Sequence, residues 1–556
     1  MFSCLKGLKS YRFSSPRMLF VRFFLLFSLT PQRFRHKCAP KRIRLSMNNK
    51  KRFIYNGIML TLVGIAMRTV ALLFNAFISR TVGAEGVGLY TVVNTVYSFA
   101  VTFATSGISL TVTRLVAEAG GEGREEDASR VLLGAVIYTL IFSIIATLVL
   151  FFGADIIALY VLGEARAAAP LRILAPSLIP LSLVSVFSGY FIGVRRVGKN
   201  STVQILGQVF RISATAWLIL HATAKTAEES AKYLAIGVSV TEIASFAVML
   251  VQFLLDRRGK EPPRGSGFAL VGRSALPLAI SAYIRQALLT VEHVLIPRRL
   301  RDHGLDNASA LSAYGVLHGM ALPTVLYPMV ILSSFSGLLV PEFAERSALH
   351  DRRGCERLCR TSLSLTLVYA TAVAGIMLVF SEELGYVIYG SAAAGQYIAV
   401  LSVVVPLMYL DHVTDSILKG IGEQVYSMWV NIADSLLSIA LVWILIPRLG
   451  ILGYAVCIIV MEGFNFILSL IRLCRRIRIK ISLVRSLLLP AVASVGSSYL
   501  VRALFIRQGA SATALWMCCE IVFAAAAFFA IRTLCDLIYE MLRQRLTASK
   551  VSQSPK

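Results

Sequence analysis

Apolar positions in this chain come in long unbroken runs, not in alternation. Runs of about 18 to 25 residues recur from residue 54 onward, each long enough for a helix to cross roughly 30 Å of hydrocarbon. In lipid, only helices and closed barrels satisfy every backbone N–H and C=O group. Barrel strands need alternation, so these runs predict helices. Fourteen spans are expected, over 54–78, 87–112, 130–152, 171–194, 201–220, 233–255, 270–296, 311–340, 361–381, 396–418, 425–446, 451–473, 484–504 and 512–534. No separate soluble domain fits in the short connections between them. The fold class is therefore an all-α polytopic membrane protein.

The polar residues carry a second pattern, a duplication. Ser106-Gly107 precedes Ala117-Glu118, and Ser336-Gly337 precedes Ala344-Glu345, with the Ala-Glu pairs 227 positions apart. The same offset pairs Phe191-Ile192-Gly193 with Leu418-Lys419-Gly420, and Gln204 with Asn431. Glu242 and Phe246 pair with Glu462 and Phe466 at an offset of 220. The spans thus group as two six-helix repeats and two additional helices. An even number of spans per repeat makes the repeats parallel, related by an axis along the membrane normal, and two such lobes enclose a central cavity.

The expected organisation is a basic extension at 1–46, a first lobe at 47–256, a cytoplasmic linker at 257–269 and a second lobe at 270–473. A basic loop at 474–482, spans 13 and 14 within 483–535, and a tail at 536–556 follow. The linker is charged and rich in Pro and Gly, as a hinge-permitting connection should be. Prolines 170, 176, 180, 277, 323, 328 and 406 fall in or beside spans and predict kinks or breaks.

Composition agrees: mean hydropathy is +0.71 and 56% of residues are hydrophobic, well above a soluble domain. With residue 50 in the cytoplasm, inner segments hold 31 Lys and Arg and outer ones 11, which follows the positive-inside rule and puts both termini inside. Arg298, Arg299 and Arg301 are the exception. The net charge of +26 is accounted for by loops anchored on anionic membrane lipid, and no nucleic-acid partner is needed. The nine cysteines are scattered, with no CxxC or His/Cys ligand spacing, so neither a disulfide framework nor a metal site is expected.

The first 46 residues hold eleven Lys and Arg and no acid, and their apolar stretch, 19–29, is too short to span. They have the composition of a transit peptide. The simpler expectation is an upstream start codon, with Met47-Asn48-Asn49-Lys50-Lys51-Arg52 as the natural beginning.

A charge near the bilayer centre costs roughly 2.5–3.5 kcal/mol on insertion scales, so buried ionisable residues point to a cavity or a partner. Arg68 in span 1 is a candidate anion contact, because a guanidinium binds phosphate through two parallel hydrogen bonds. Its alternative is a structural pair with Glu292 or Asp411. Asn75 lies two helical turns on, along the same face. Arg285 in span 7 is the counterpart of Arg68, which suits a clamp on phosphate from both lobes. Glu292 shares the face of Arg285, either as counter-ion or as a cation or proton site. Gln204 and Arg211 belong to a polar stripe on span 5, suited to cavity lining or to helix–helix hydrogen bonding. Asp411 and Asp415 in span 10, with Asn431 and Asp434 in span 11, form a candidate site for a coupling ion, Na+ or H+; the alternative is simple lining of a wet cavity.

Gly83 to Tyr90 is glycine-rich but is not a phosphate loop, since no strand precedes it and no GK[ST] follows. It predicts a tight turn between spans 1 and 2. Nucleophile elbow, HExxH, kinase and ATPase signatures are missing from the sequence. Neither an enzyme nor a cofactor is expected, and an ion gradient or membrane potential is the expected driver.

Arg68, then Ile78-Ser-Arg80-Thr-Val-Gly83-Ala-Glu85-Gly86-Val-Gly88-Leu-Tyr90, then Leu115-Val-Ala-Glu118-Ala119, resembles the opening of the stage V sporulation protein B family. That family lies in the polysaccharide-exporter branch of the multidrug/oligosaccharidyl-lipid/polysaccharide (MOP) superfamily, alongside lipid II flippases. The resemblance covers essentially everything after Met47. It implies a two-lobed flippase with a cationic cavity, and an undecaprenyl-linked glycan as cargo, foremost lipid II for peptidoglycan of the spore cortex. Cell-wall synthesis proteins are the implied partners. By position Arg68 matches the family's first-helix arginine and Arg285 one on helix 7. The family's second first-helix arginine falls near Phe74 and Asn75, where this chain has none. Relatives that bind sodium between helices 7, 11 and 12 place Asn431 and Asp434 at a corresponding site. The competing classes are a multidrug/cation antiporter of the same superfamily, a membrane-embedded glycan polymerase or ligase, and a cell-wall scaffold. Short outer loops disfavour the polymerase, and arginines on both first helices disfavour a cationic-drug cavity.

Overall fold

The structure, a computed structural model, describes residues 47–105, 107–121, 125–194, 196–221, 226–256, 265, 267–477, 484–507 and 514–552. The extension 1–46, the linker residues 257–264 and 266, and Arg478 and Lys480 lie outside the described residues. Every regular element among the described residues is a helix.

The first element, α1 (Met47–Thr105), runs through 59 residues. A straight rod of that length would extend ~88 Å, about three times the hydrocarbon thickness. Gly83 breaks it, with φ 78° and ψ 170°, where a side chain would be strained. Asn75 before the break donates to the Gly319 carbonyl at 2.6 Å. Val87 after the break lies so close that a Cβ on Gly319 would approach it to 2.3 Å. Both arms meet one spot, so the chain doubles back at the predicted turn.

The first half continues with α2 (Ile108–Gly121), α3 (Glu125–Phe152), α4 (Leu178–Gly193), α5 (Val197–His221) and α6 (Ala227–Asp256). The second comprises α7 (Phe268–Asp302), α8 (Asn307–Tyr314), α9 (Met329–Ala348), α10 (Arg352–Val379), α11 (Ser381–Tyr389), α12 (Ala392–Ser402), α13 (Val405–Gly420), α14 (Gln424–Leu449) and α15 (Ile451–Arg476). The last two helices are α16 (Leu489–Arg507) and α17 (Ala514–Ser552).

Among the described residues eleven helices are long and apolar enough to cross a membrane, and two further spans are bent pairs. Phe268–Pro277 meets Ala279–Asp302 at 45°, and α12 meets α13 at 57°. Pro277 and Pro406 sit at these bends, where a missing N–H and a clashing ring interrupt the helix. The run expected at 311–340 is also broken: α8 passes through the π-helical turn Gly315–Ala321 and Leu322–Leu326, and α9 begins after Pro328.

Close packing repeats with the offset of the duplication. A Cβ on Gly193 would lie 3.1 Å from the Thr113 carbonyl oxygen and from Val116; a Cβ on Gly420 would lie 2.9 Å from the Val340 carbonyl oxygen and 2.7 Å from Phe343. Each member of the second set is 227 positions beyond its counterpart. Lipid supplies little hydrophobic drive between helices, so glycine at such contacts lets backbones approach.

Candidate transport cavity

A cavity of about 480 Å³ lies where α7, α13 and α14 face α1. Beyond the Pro277 bend, Ser281, Ala282, Arg285, Gln286 and Leu289 of α7 line the wall. Helix α14 contributes Gln424, Ser427 and Asn431, spaced three and four apart and therefore on one face. Lys419 closes one end from the last turn of α13, and Thr102 of α1 is the first-half contribution.

The lining is cationic. Arg285 is exposed to the cavity and makes no ion pair among the described residues. Lys419 pairs with Asp415, one turn earlier, at 2.5 Å. A guanidinium without a carboxylate partner in a wet intramembrane chamber is a ready anion ligand.

A polar seam leads from this chamber into the second half. On α14 it continues from Ser427 and Asn431 to Asp434 and Ser438; on α7 it runs from Ser281 and Arg285 to Glu292. Glu292 is 4% exposed and lies beside Ser438. Arg285 and Asn431 thus share one level and Glu292 and Ser438 another, seven residues further on each helix, so α7 and α14 run parallel. Asp434 interacts electrostatically with Glu292, Asp411 with Asp415 and Asp434, and Glu462 of α15 with Asp411 and Asp434. The Oδ1 atoms of Asp411 and Asp434 are buried without a hydrogen-bond partner. Among the described residues no three His, Cys, Asp or Glu side chains converge as a metal-binding group. Buried carboxylate oxygens with no donor fit a proton or a weakly held monovalent cation.

The remaining sequence-predicted residues lie elsewhere. Arg68 is on the exposed face of α1, outside the lining of this cavity and without an ion pair among the described residues. Its neighbour Thr69 is hydrogen-bonded to Tyr327 at 2.7 Å. Asn75 is held by the Gly319 carbonyl and ties the first arm of α1 to the second half. Gln204 is exposed on α5. Arg211 sits in the first half beside Glu242 and Tyr97, and Tyr97 is hydrogen-bonded to Ser177 at 2.7 Å. Arg285, Asn431 and Lys419 therefore meet, whereas Arg68, Gln204 and Arg211 do not join them in this conformation.

Lys419 and Glu462 gain significance only in three dimensions. Lys419 stood in a repeat anchor at a cytoplasmic helix end, where a lysine is expected anyway. Glu462 matched Glu242 in the duplication, which pointed to scaffold.

Residues 53–347 match the family described as polysaccharide biosynthesis protein, and residues 304–444 match the MatE family. Stage V sporulation protein B of Bacillus subtilis (strain 168) is 26% identical over 429 residues, covering 74% of this chain and 81% of that protein. Sporulation protein YkvU of the same organism is 21% identical, over 63% of this chain and 78% of that protein. The fold is similar to that of the lipid II flippase MurJ in an inward closed conformation, with a TM-score of 0.68, 12% identity and coverage of 86% of this chain and 100% of that one. It is also similar to an inward-facing multidrug resistance MATE family transporter, with a TM-score of 0.59, 15% identity and coverage of 75% and 98%. The chain is a multi-pass membrane protein of the polysaccharide biosynthesis protein family, within the MOP superfamily.

Proposed function

We propose that this protein is a lipid-linked oligosaccharide flippase. It moves an undecaprenyl-pyrophosphate-linked sugar, foremost the lipid II precursor of peptidoglycan, across the cytoplasmic membrane by alternating access, and the spore cortex is the proposed destination. Both termini are cytoplasmic in this reading. The single observation that carries it is Arg285, exposed in an intramembrane chamber and without a carboxylate partner among the described residues. With Lys419 it offers two cations to a pyrophosphate. Arg68, exposed and without an ion pair among the described residues, is the contact this reading assigns to the first half. The polyprenyl tail stays in lipid between spans. The names of relatives support the cargo class: one is a lipid II flippase and two are sporulation proteins.

Coupling is assigned to the carboxylates behind the chamber. Asp411 and Asp434, with Asp415 and Asn431 nearby, would take up Na+ or H+ as the halves rock. This acidic cluster is also what favours a second reading, a multidrug/cation antiporter; one structural neighbour is a multidrug resistance MATE family transporter. The two differ in the charge of the cargo that meets the chamber.

The deciding experiment is appearance of lipid II on the outer face of proteoliposomes or of flippase-depleted cells. Transport should depend on the protein and collapse in Arg285→Ala and Arg68→Ala. Full activity in both variants defeats the arginine mechanism. Export of cationic dyes with no movement of lipid II would establish the second reading.

A further inference from the structure

Two of the three outer arginines that break the charge rule bridge the two halves. Arg298 and Arg301 end α7 of the second half, yet both bind the first half. Arg301 donates to the Gly163 carbonyl at 2.8 Å, and Arg298 donates to the Tyr160 carbonyl. These carbonyls close the short π-helical segment Ile157–Leu162, which ends on left-handed Gly163, φ 66°. At the same level Arg80, in the first half just before Gly83, reaches the second half. It donates to Ile388 at 2.9 Å, to Tyr386 at 3.3 Å and to Val387. Those carbonyls close α11, which ends on left-handed Gly390, φ 68°.

Gly163 and Gly390 are 227 positions apart, the offset of the duplication. Each half therefore ends its first helix in arginine, and each arginine caps the other half's short outer helix. A helix C-terminus presents unpaired carbonyls and partial negative charge, and the fixed fork of a guanidinium satisfies several at once. A polar network reinforces one side. Arg166 binds Glu85 at 2.7 Å and Glu164 at 2.8 Å, Asn307 donates to Glu164, and Arg301 donates to Asn307 at 3.2 Å.

We propose that Arg80 on one side, and Arg298 with Arg301 on the other, are reciprocal clasps that hold the outer gate shut, and that both release when the transporter opens outward. They are positioning residues with no cargo contact. Their bonds join the two halves at the end away from the Arg285 chamber, so the halves separate there only by giving them up. A snorkelling arginine needs neither a helix end opposite nor a twin in the other half.

The proposal rests on the alternating-access reading, but its test needs no cargo. Thr91→Cys, beside Gly319 beneath the clasps, reports the outer pathway, and Gln286→Cys reports the chamber. Sealed vesicles of each orientation are labelled with a membrane-impermeant maleimide, over the background of exposed Cys474 and Cys518. Arg80→Ala/Arg298→Ala/Arg301→Ala should raise the labelling rate at position 91 from the outer face about tenfold or more and lower that at 286 from the inner face. Arg80→Lys keeps the charge, loses the fork and is mild enough to fold. It should shift both rates the same way by less. Unchanged rates at both positions in the membrane-inserted variants overturn the clasps. Shifted rates in a protein that moves no lipid-linked sugar would sink the cargo and leave the clasps standing.

Discussion

Gly88 and Gly315 lie 227 positions apart in sequence and against each other in space. A Cβ on Gly88 would fall 1.9 Å from the Leu311 carbonyl oxygen, and one on Gly315 would fall 2.3 Å from the Ala84 carbonyl oxygen and 2.8 Å from Gly88 Cα. Leu311 is itself 227 positions beyond Ala84. Two equivalent residues that touch must sit on the axis relating the halves. The glycines therefore lie on that axis near the outer end, where the backbones of span 2 and span 8 cross without intervening side chains.

Alanine at either glycine should act on the gate before it acts on the fold of either half. The added methyl meets backbone rather than a flexible side-chain tip, so the helices must separate. Overpacking of this kind costs about 1–3 kcal/mol. Gly88→Ala and Gly315→Ala should lower the melting temperature in detergent and raise outer accessibility of a cysteine at 91. Wild-type values for both would show that the crossing does not control the gate.

The chamber cations should matter in proportion to how well they fit a pyrophosphate. A hydrogen bond to a charged group contributes about 1.5–3 kcal/mol, so Arg285→Ala should weaken binding of a polyprenyl-pyrophosphate by about 10- to 100-fold. Arg285→Lys should lose less, retaining charge without the fork. Lys419→Ala should also weaken binding, though less, because Asp415 already shares that ammonium. Titration of purified protein with a short-chain analogue checks the order; equal affinity in all four proteins would remove the chamber from the reading.

Much of the fold was legible because lipid enforces it. A run of some twenty apolar residues has few alternatives to a spanning helix, and the turn at Gly83 followed from its glycines. Pro328 likewise marked an interruption in the run 311–340; the π-helical turn at Gly315–Ala321 was not legible, because apolar residues continue on both sides of it. The offset of 227 was visible in short polar anchors but invisible at Gly88, Gly163, Gly315 and Gly390. A single glycine has no pattern until its neighbour across space is known. The site was legible in part. Arg285 and Asn431 stood out as polar residues within separate apolar spans, and packing places both on one cavity wall. Asn75 was expected to line the cavity, but the π-helical turn at Gly315–Ala321 presents a carbonyl that holds it. Arg298 and Arg301 stood out only as an exception to the charge rule, since their partners are backbone carbonyls and leave no trace in composition.

The acidic seam yields a prediction about ions that is separable from cargo. Buried carboxylate oxygens without donors destabilise the empty state, because a desolvated charge is costly. Asp434→Asn and Asp411→Asn should therefore leave thermal stability without added cation equal to or above wild type. They should also abolish the stabilisation that Na+ or protons confer, which for a saturated site is about 2.7 kcal/mol at a hundredfold excess over Kd. Melting curves in sodium, potassium and choline salts at two pH values measure both effects. Persistence of ion-dependent stabilisation in both variants would place the coupling site elsewhere.

The helix ends around Glu423 supply a pH prediction whose sign is fixed by geometry. Glu423, between α13 and α14, binds Arg472 at 2.7 Å and Arg476 at 2.5 Å, and so ties span 11 to span 12. The Arg472 guanidinium, with Arg476, outweighs desolvation and holds this carboxyl below its ordinary range. A carboxyl depressed in the folded state stabilises fully above its unfolded pKa, about 4.3, and that stabilisation is lost as pH falls through the folded value. Melting temperature should therefore be insensitive to this group from pH 8 down to about 5.5 and decline in more acidic buffer. Glu423→Gln should sit lower across the neutral range, by about 1–3 kcal/mol for the broken charged hydrogen bonds, and should show a shallower acid decline. The difference between the two proteins should narrow on acidification. A constant gap from pH 7 to pH 3.5 would mean that the bridge contributes through packing and not through charge.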